Sequence, residues 1–212
     1  LNLLTVPSAT EPLPPRRLPL ILLIVFAVAW VVTAIKPLYP HDWLLENLLV
    51  FIAVPGLVLT YRRFQFSNLA YVLLTAFFIL HAYGAHYTYA ETPAGNWVRD
   101  ALGHSRNHYD RLVHFLFGLL TGPAFWELLR RVTGLRPGWA YVATVHVVLA
   151  WSGLYEIIEA IVAMLVSPEL GAAYNGTQGD EWDAQKDSAL AAAGVVIAMV
   201  LLAVRRRGDE DR

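Results

Sequence analysis

GTQGDEWDAQKDS, residues Gly176–Ser188, runs without a break into ALAAAGVVIAMVLLAV, Ala189–Val204. Three aspartates, a glutamate and a lysine stand at the entrance of a run that carries no charge. Roughly 20 apolar residues are what it takes to cross about 30 Å of hydrocarbon. Ionisable side chains are therefore gathered at one mouth of a membrane span. Charge in that place is costly unless it is paired, hydrated or bound to an ion.

Five further runs of the same grade precede it. They are Leu18–Ile35, Trp43–Tyr61 (interrupted by Pro55), Leu69–Tyr87, Asp110–Leu129 and Trp139–Val166, with Asp187–Val204 as the sixth. The chain is 57% hydrophobic and only 16% charged, outside the range of a soluble domain. Lipid tolerates only backbones that satisfy their own hydrogen bonds, and runs of this length do so as helices. The expected fold class is all-α, a polytopic bundle of six transmembrane helices. Residues 1–17 read as a disordered arm, 18–204 as the membrane domain and 205–212 as a charged tail. Arg16 and Arg17 before the first run mark an uncleaved signal anchor.

Arginine clusters orient the bundle. Arg16 and Arg17, Arg62 and Arg63, Arg130, Arg131 and Arg136, and Arg205–Arg207 all fall on one side of a six-span chain. The positive-inside rule makes that side cytoplasmic, with both termini inside. Arg99 and Arg106 are exceptions, lying in the outer loop Ala90–Tyr109. Trp43, Trp97, Trp139 and Trp182 near span ends suit interfacial aromatic belts. A net charge of −1 argues against a nucleic-acid partner. The absence of cysteine excludes disulfides, thiolate metal sites and thiol nucleophiles.

Helical rise converts sequence position into depth. Asp187 lies 18 residues before Arg205, Glu156 17 after Trp139 and His114 16 before Arg130, hence roughly 27, 26 and 24 Å from the inner ends. His81, His86 and Glu46 reach the same layer. Asp110 with His114, Glu156 with Glu159, and Asp183 with Asp187 are spaced to share helix faces. Such a set needs a cation, protons or water to balance it. Asp180, Glu181 and Lys186 also read as solvated loop charges, Asp110 as a helix-start acid, and Arg111 as a snorkelling side chain. His104 and His146 read as loop and bundle residues without a ligand role.

HAYGAHYTYAETP (His81–Pro93), RNHYDRLVHFLFGLL (Arg106–Leu120), LYEIIEA (Leu154–Ala160) and GTQGDEWDAQKD (Gly176–Asp187) together resemble the YjdF-like bacterial inner-membrane proteins. Spans four to six are more faintly similar to VanZ-like proteins, through Asp110, Arg111, His114, Phe115, Glu156, Asp183 and Asp187. Glu159 stands where VanZ-like helices often carry Gln. The resemblance implies a membrane bundle in the bacterial inner membrane and carries no catalytic assignment.

Three function classes fit the residues. The first is a metal-dependent hydrolase of a lipid or envelope-derived substrate. His114, Glu156, Asp183 and Asp187, with His81 and His86 in reach, would hold zinc, manganese or iron. Asp110 or Glu159 would orient a ligand or act as base, and Arg111 would hold a head-group phosphate or carboxylate. The second is a proton- or cation-coupled transporter, although no inverted repeat is visible. The third is a non-catalytic protein binding a lipid or glycopeptide head group.

Overall fold

The computed structural model describes residues 16–165 and 176–210. Most of the expected N-terminal arm, Val166, the first part of the loop Ser167–Trp182 and residues 211–212 lie outside them. The described residues are helical and contain no strand. In chain order the helices are α1 (Arg17–Ala34), α2 (Pro40–Glu46), α3 (Leu48–Thr60), α4 (Asn68–Tyr87), α5 (Pro93–Leu102), α6 (Tyr109–Thr133), α7 (Pro137–Leu165) and α8 (Asp183–Glu210). Six spans are long and apolar enough to cross a membrane, with α2 and α3 forming one of them.

Two features differ from the sequence expectation. The second span breaks at Asn47 (φ −74°, ψ −3°), not at Pro55, which sits inside α3. Asn47 is fully buried, and its side chain accepts from Trp30 Nε1 (2.5 Å) and donates to Trp43 O (2.7 Å). The stretch Ala90–Tyr109 is also more than a loop, because it holds α5. Pro93 opens this helix, and Gly103 closes it in the left-handed region at φ +67°.

The arginine clusters gather at one end of the bundle. Arg16 N donates to Tyr61 Oη (2.7 Å) and Arg131 Nη1 to Gln65 O (2.6 Å). The guanidinium groups of Arg206 and Arg130 lie 4.8 and 5.9 Å from the Trp126 ring centre. The opposite, acidic end carries α5, the start of α6 and the segment before α8.

Helices α6 and α8 make the closest pairing in the bundle, and they run parallel. A Cβ on Gly118 would stand 1.9 Å from Ala191 O, and one on Gly194 2.1 Å from Phe115 O. Gly122 opposite Val195 and Ala198 continues the seam. Small residues let backbones approach where lipid supplies no hydrophobic drive between helices. This contact sets the register of the site. One turn before Gly118 stands His114, and one turn before Ala191 stands Asp187.

Candidate metal centre

Asp110, His114 and Asp187 converge between α6 and α8. One ligand atom from each lies within 4.8 Å of the others. Asp110 and His114 meet because they are one turn apart on α6, with His114 Nε2 3.5 Å from Asp110 Oδ1. Helix α7 brings Glu156, whose Oε1 is 3.3 Å from the same Nε2. It also brings Ser152, whose Oγ is 3.4 Å from His114 Nδ1. The side chains are sequestered: Asp187 is 1% exposed and His114 9%. Even so, Asp187 Oδ1 and Glu156 Oε1 find no hydrogen-bond partner. Buried carboxylate oxygens are rarely left so, since each pays the full desolvation penalty.

Glu159 extends the acidic layer and is buried. It shares a side-chain hydrogen bond with Glu156. Beyond it Glu46, 1% exposed, accepts from Tyr155 Oη (2.5 Å). Among the described residues, no Lys or Arg ion-pairs with Asp110, Asp187, Glu156 or Glu159.

The arginines are engaged one layer further out. Arg106 grips Asp183 with two nitrogens, Nη1 to Oδ1 (2.5 Å) and Nη2 to Oδ2 (3.2 Å), and also donates to Thr177 O (3.1 Å). Arg111 Nη2 bonds Asp180 Oδ2 (2.5 Å) and Asp183 Oδ1 (3.0 Å). Gln178 and Asn107 exchange reciprocal bonds of 2.9 Å, side chain to backbone. The left-handed backbone of Gly176 (φ +58°) and Gly179 (φ +85°) turns GTQGDEWD back onto these partners. The result is a cap over the acidic layer.

Lys186, the Trp182 N–H and Arg111 hold the Asp180 carboxyl well below the usual carboxylate range. A lowered folded-state pKa adds stability above the unfolded value, and this is lost as pH falls through the folded one. Asp180 therefore stays ionised down to acid pH. Burial and the neighbouring Arg111 and Arg106 push the His108 ring down, toward the neutral form.

Several expected ligands have other partners. Asp183 lies nearer the chain entrance of α8 and meets Arg106 and Arg111 before it can reach the His114 cluster. Arg111 is taken by these aspartates and offers no free fork to a head group. His81 receives Tyr89 Oη on Nδ1 (2.5 Å) and donates from Nε2 to Glu46 O (3.1 Å). Burial holds the Tyr89 hydroxyl well above its ordinary range, so it remains a donor. His86 Nδ1 bonds Thr33 O (2.7 Å), tying α4 to α1. Asp110, expected in a supporting role, stands instead among the convergent donors.

Arg106 and Ser152 are the residues that sequence reasoning did not select. Arg106 had a signal: it was an exception to the charge rule, in a loop that should avoid arginine. Ser152 had none, since a serine in a span is most often bonded to its own helix.

The chain matches a family profile described as "Predicted membrane protein (DUF2238)" over residues 18–208. It is 39% identical over 168 residues to "Inner membrane protein YjdF" of Escherichia coli (strain K12), covering 77% of this chain and 79% of that protein. No solved structure matches. A profile spanning nearly the whole helical bundle, together with that relative, places the chain in the DUF2238 family of integral inner-membrane proteins.

Proposed function

We propose that Asp110, His114 and Asp187 bind one divalent cation of the zinc, manganese or iron class, and that the site hydrolyses a lipid or envelope-derived substrate. The observation that carries this reading is the buried Asp187 Oδ1 without a hydrogen-bond partner, set within a three-donor cluster that makes no ion pair with a lysine or arginine among the described residues. Two carboxylates and one imidazole suit a borderline cation and leave coordination positions for water. Glu156 stands beside the cluster as the base. A cation held there would lower the pKa of a water at the site, and Glu156 is placed to accept that water's proton and return it to the leaving oxygen of the substrate.

Elemental analysis tests the reading. Wild-type protein incubated with zinc or manganese salts and dialysed should keep one ion per chain. Asp187→Asn and His114→Ala should weaken retention by about 100-fold or more, since even supporting contacts are worth 10–100-fold. Glu156→Gln should keep the ion and lose formation of cleaved lipid in vesicles containing phosphatidylglycerol. No retained ion would overturn the cation site. A retained ion with no product in any wild-type assay would leave a closed, structural site.

The same reading places the cluster on the outer side of the membrane, because the arginine end would be cytoplasmic. A cysteine replacing Thr177 should react with an impermeant reagent added outside, and one replacing Gly208 should not. Reversed labelling would turn the site toward the cytoplasm.

A further inference from the structure

At the arginine end, away from the acidic layer, α1 packs on α4, whereas α3 stands off from both. Between them is a cavity of about 290 Å³. Its walls are apolar: Leu23 of α1, Val54 and Leu57 of α3, and Leu74 and Phe78 of α4. Side-chain links bound it at each end. At one end Arg16 N bonds Tyr61 Oη (2.7 Å). Beyond the other, Trp30 of α1 bonds Asn47 (2.5 Å) and packs edge-on against Phe51 (6.0 Å). Phe26 and Phe78, ring centres 5.8 Å apart, seal the inner limit.

The dimensions favour one occupant. Arg16 to Phe26 is ten residues, roughly 15 Å of helix. That is about half of the ~30 Å hydrocarbon thickness, the depth of one leaflet. The mouth is basic. Arg16 lines it: Nη2 donates to Phe66 O, the guanidinium stands 5.6 Å from the Tyr71 ring centre, and the buried Nε has no hydrogen-bond partner. Arg17, Arg62 and Arg63 are exposed at the same end. The Glu127 carboxylate on α6 accepts from Ser67 N (2.8 Å) and, among the described residues, makes no ion pair with Arg16.

We infer that this groove holds one anionic glycerophospholipid of the leaflet at the arginine end, an acyl chain lying between α1 and α3 and its phosphate at Arg16. A chain filling the gap restores contacts that α1 otherwise lacks, and the guanidinium supplies the phosphate partner.

Native mass spectrometry of the full chain, extracted from vesicles of equal phosphatidylglycerol and phosphatidylethanolamine, reads the occupancy. Wild type should carry one phosphatidylglycerol. Val54→Trp fills the groove and should lower that occupancy about tenfold, equivalent to about 1.4 kcal/mol. Ile52→Trp is the matched control, since Ile52 is 75% exposed and outside the groove, and it should behave as wild type. Arg16→Gln should keep a lipid but lose the preference for the anionic one. Equal retention by Val54→Trp and Ile52→Trp, or no preference in wild type, would overturn the proposal and leave only annular lipid.

Discussion

Gly194→Ala should unfold the bundle at markedly lower temperature in detergent and abolish retention of the cation proposed to bind at Asp187, whereas Gly153→Ala should do neither. The two substitutions are chemically identical and both lie inside membrane helices. At Gly194 the new Cβ would sit 2.1 Å from Phe115 O and 2.9 Å from Leu119 N, both backbone atoms of α6. Backbone cannot swing aside as a flexible side chain can, so α8 must move more than an ångström to reach ordinary contact. Overpacking of this kind typically costs about 1–3 kcal/mol, and a clash with helical backbone belongs at the upper end. At Gly153 a Cβ meets nothing within 4 Å. Alanine there should be neutral or slightly stabilising, because it is the better helix former by roughly 1 kcal/mol.

The functional consequence follows from register. His114 and Asp187 each stand one turn before the tight Gly118–Ala191 contact, so the seam that Gly194 shares also spaces the donors. Their convergence within 4.8 Å would not survive separation of the helices. Matching melting temperatures and cation retention for the two variants would remove this account of how the cluster is assembled.

The spans could be read from sequence because a charge-poor run of such length has one physical solution in lipid. Depth was legible for the same reason: helical rise placed His114, Glu156 and Asp187 in one layer, and the structure brings them side by side. Asp183 shows the limit of that logic. Depth along α8 places it one turn above Asp187 but cannot show that Arg106, from a loop 77 residues away, closes over it first. The pairing depends on loop backbone, on the positive φ of Gly176 and Gly179 and on the Asn107–Gln178 exchange, none of which has a periodic signature. The stretch that holds α5 reads only as a loop in the sequence. Trp97, Val98, Ala101 and Leu102 repeat at helical spacing, but a ten-residue helix falls below the length that marks a span. The break at Asn47 was hidden because Pro55, a stronger breaker by propensity, lies nearby inside an intact helix.

Two arginines in the stretch between α4 and α6 provide the second large contrast. Arg99 pairs with Asp100 at 2.8 Å, but the two side chains are 36% and 67% exposed. Arg106 pairs with Asp183 at 2.5 Å with both side chains under 10% exposed. Exposed pairs contribute little, so Arg99→Ala should change stability by no more than about 0.5 kcal/mol. Arg106→Ala strands a buried carboxylate that keeps only Arg111 at 3.0 Å, and breaking a buried pair costs about 3–5 kcal/mol. Arg106→Lys should recover only part of the loss, because an ammonium cannot make the two-nitrogen grip on Asp183. The double variant Arg106→Met, Asp183→Leu should recover most of it, since removing both partners leaves no orphaned charge. Thermal unfolding of the four variants in one detergent checks the set. If Arg106→Ala and Arg99→Ala lose the same stability, or the double variant is worse than either single change, the ion-paired cap is not what closes the acidic end. If the pattern holds, Arg106→Ala should also speed exchange of a bound cation. The Arg106–Asp183 pair lies between the Asp110–His114–Asp187 cluster and the loop surface, and its removal opens the path that the cap covers.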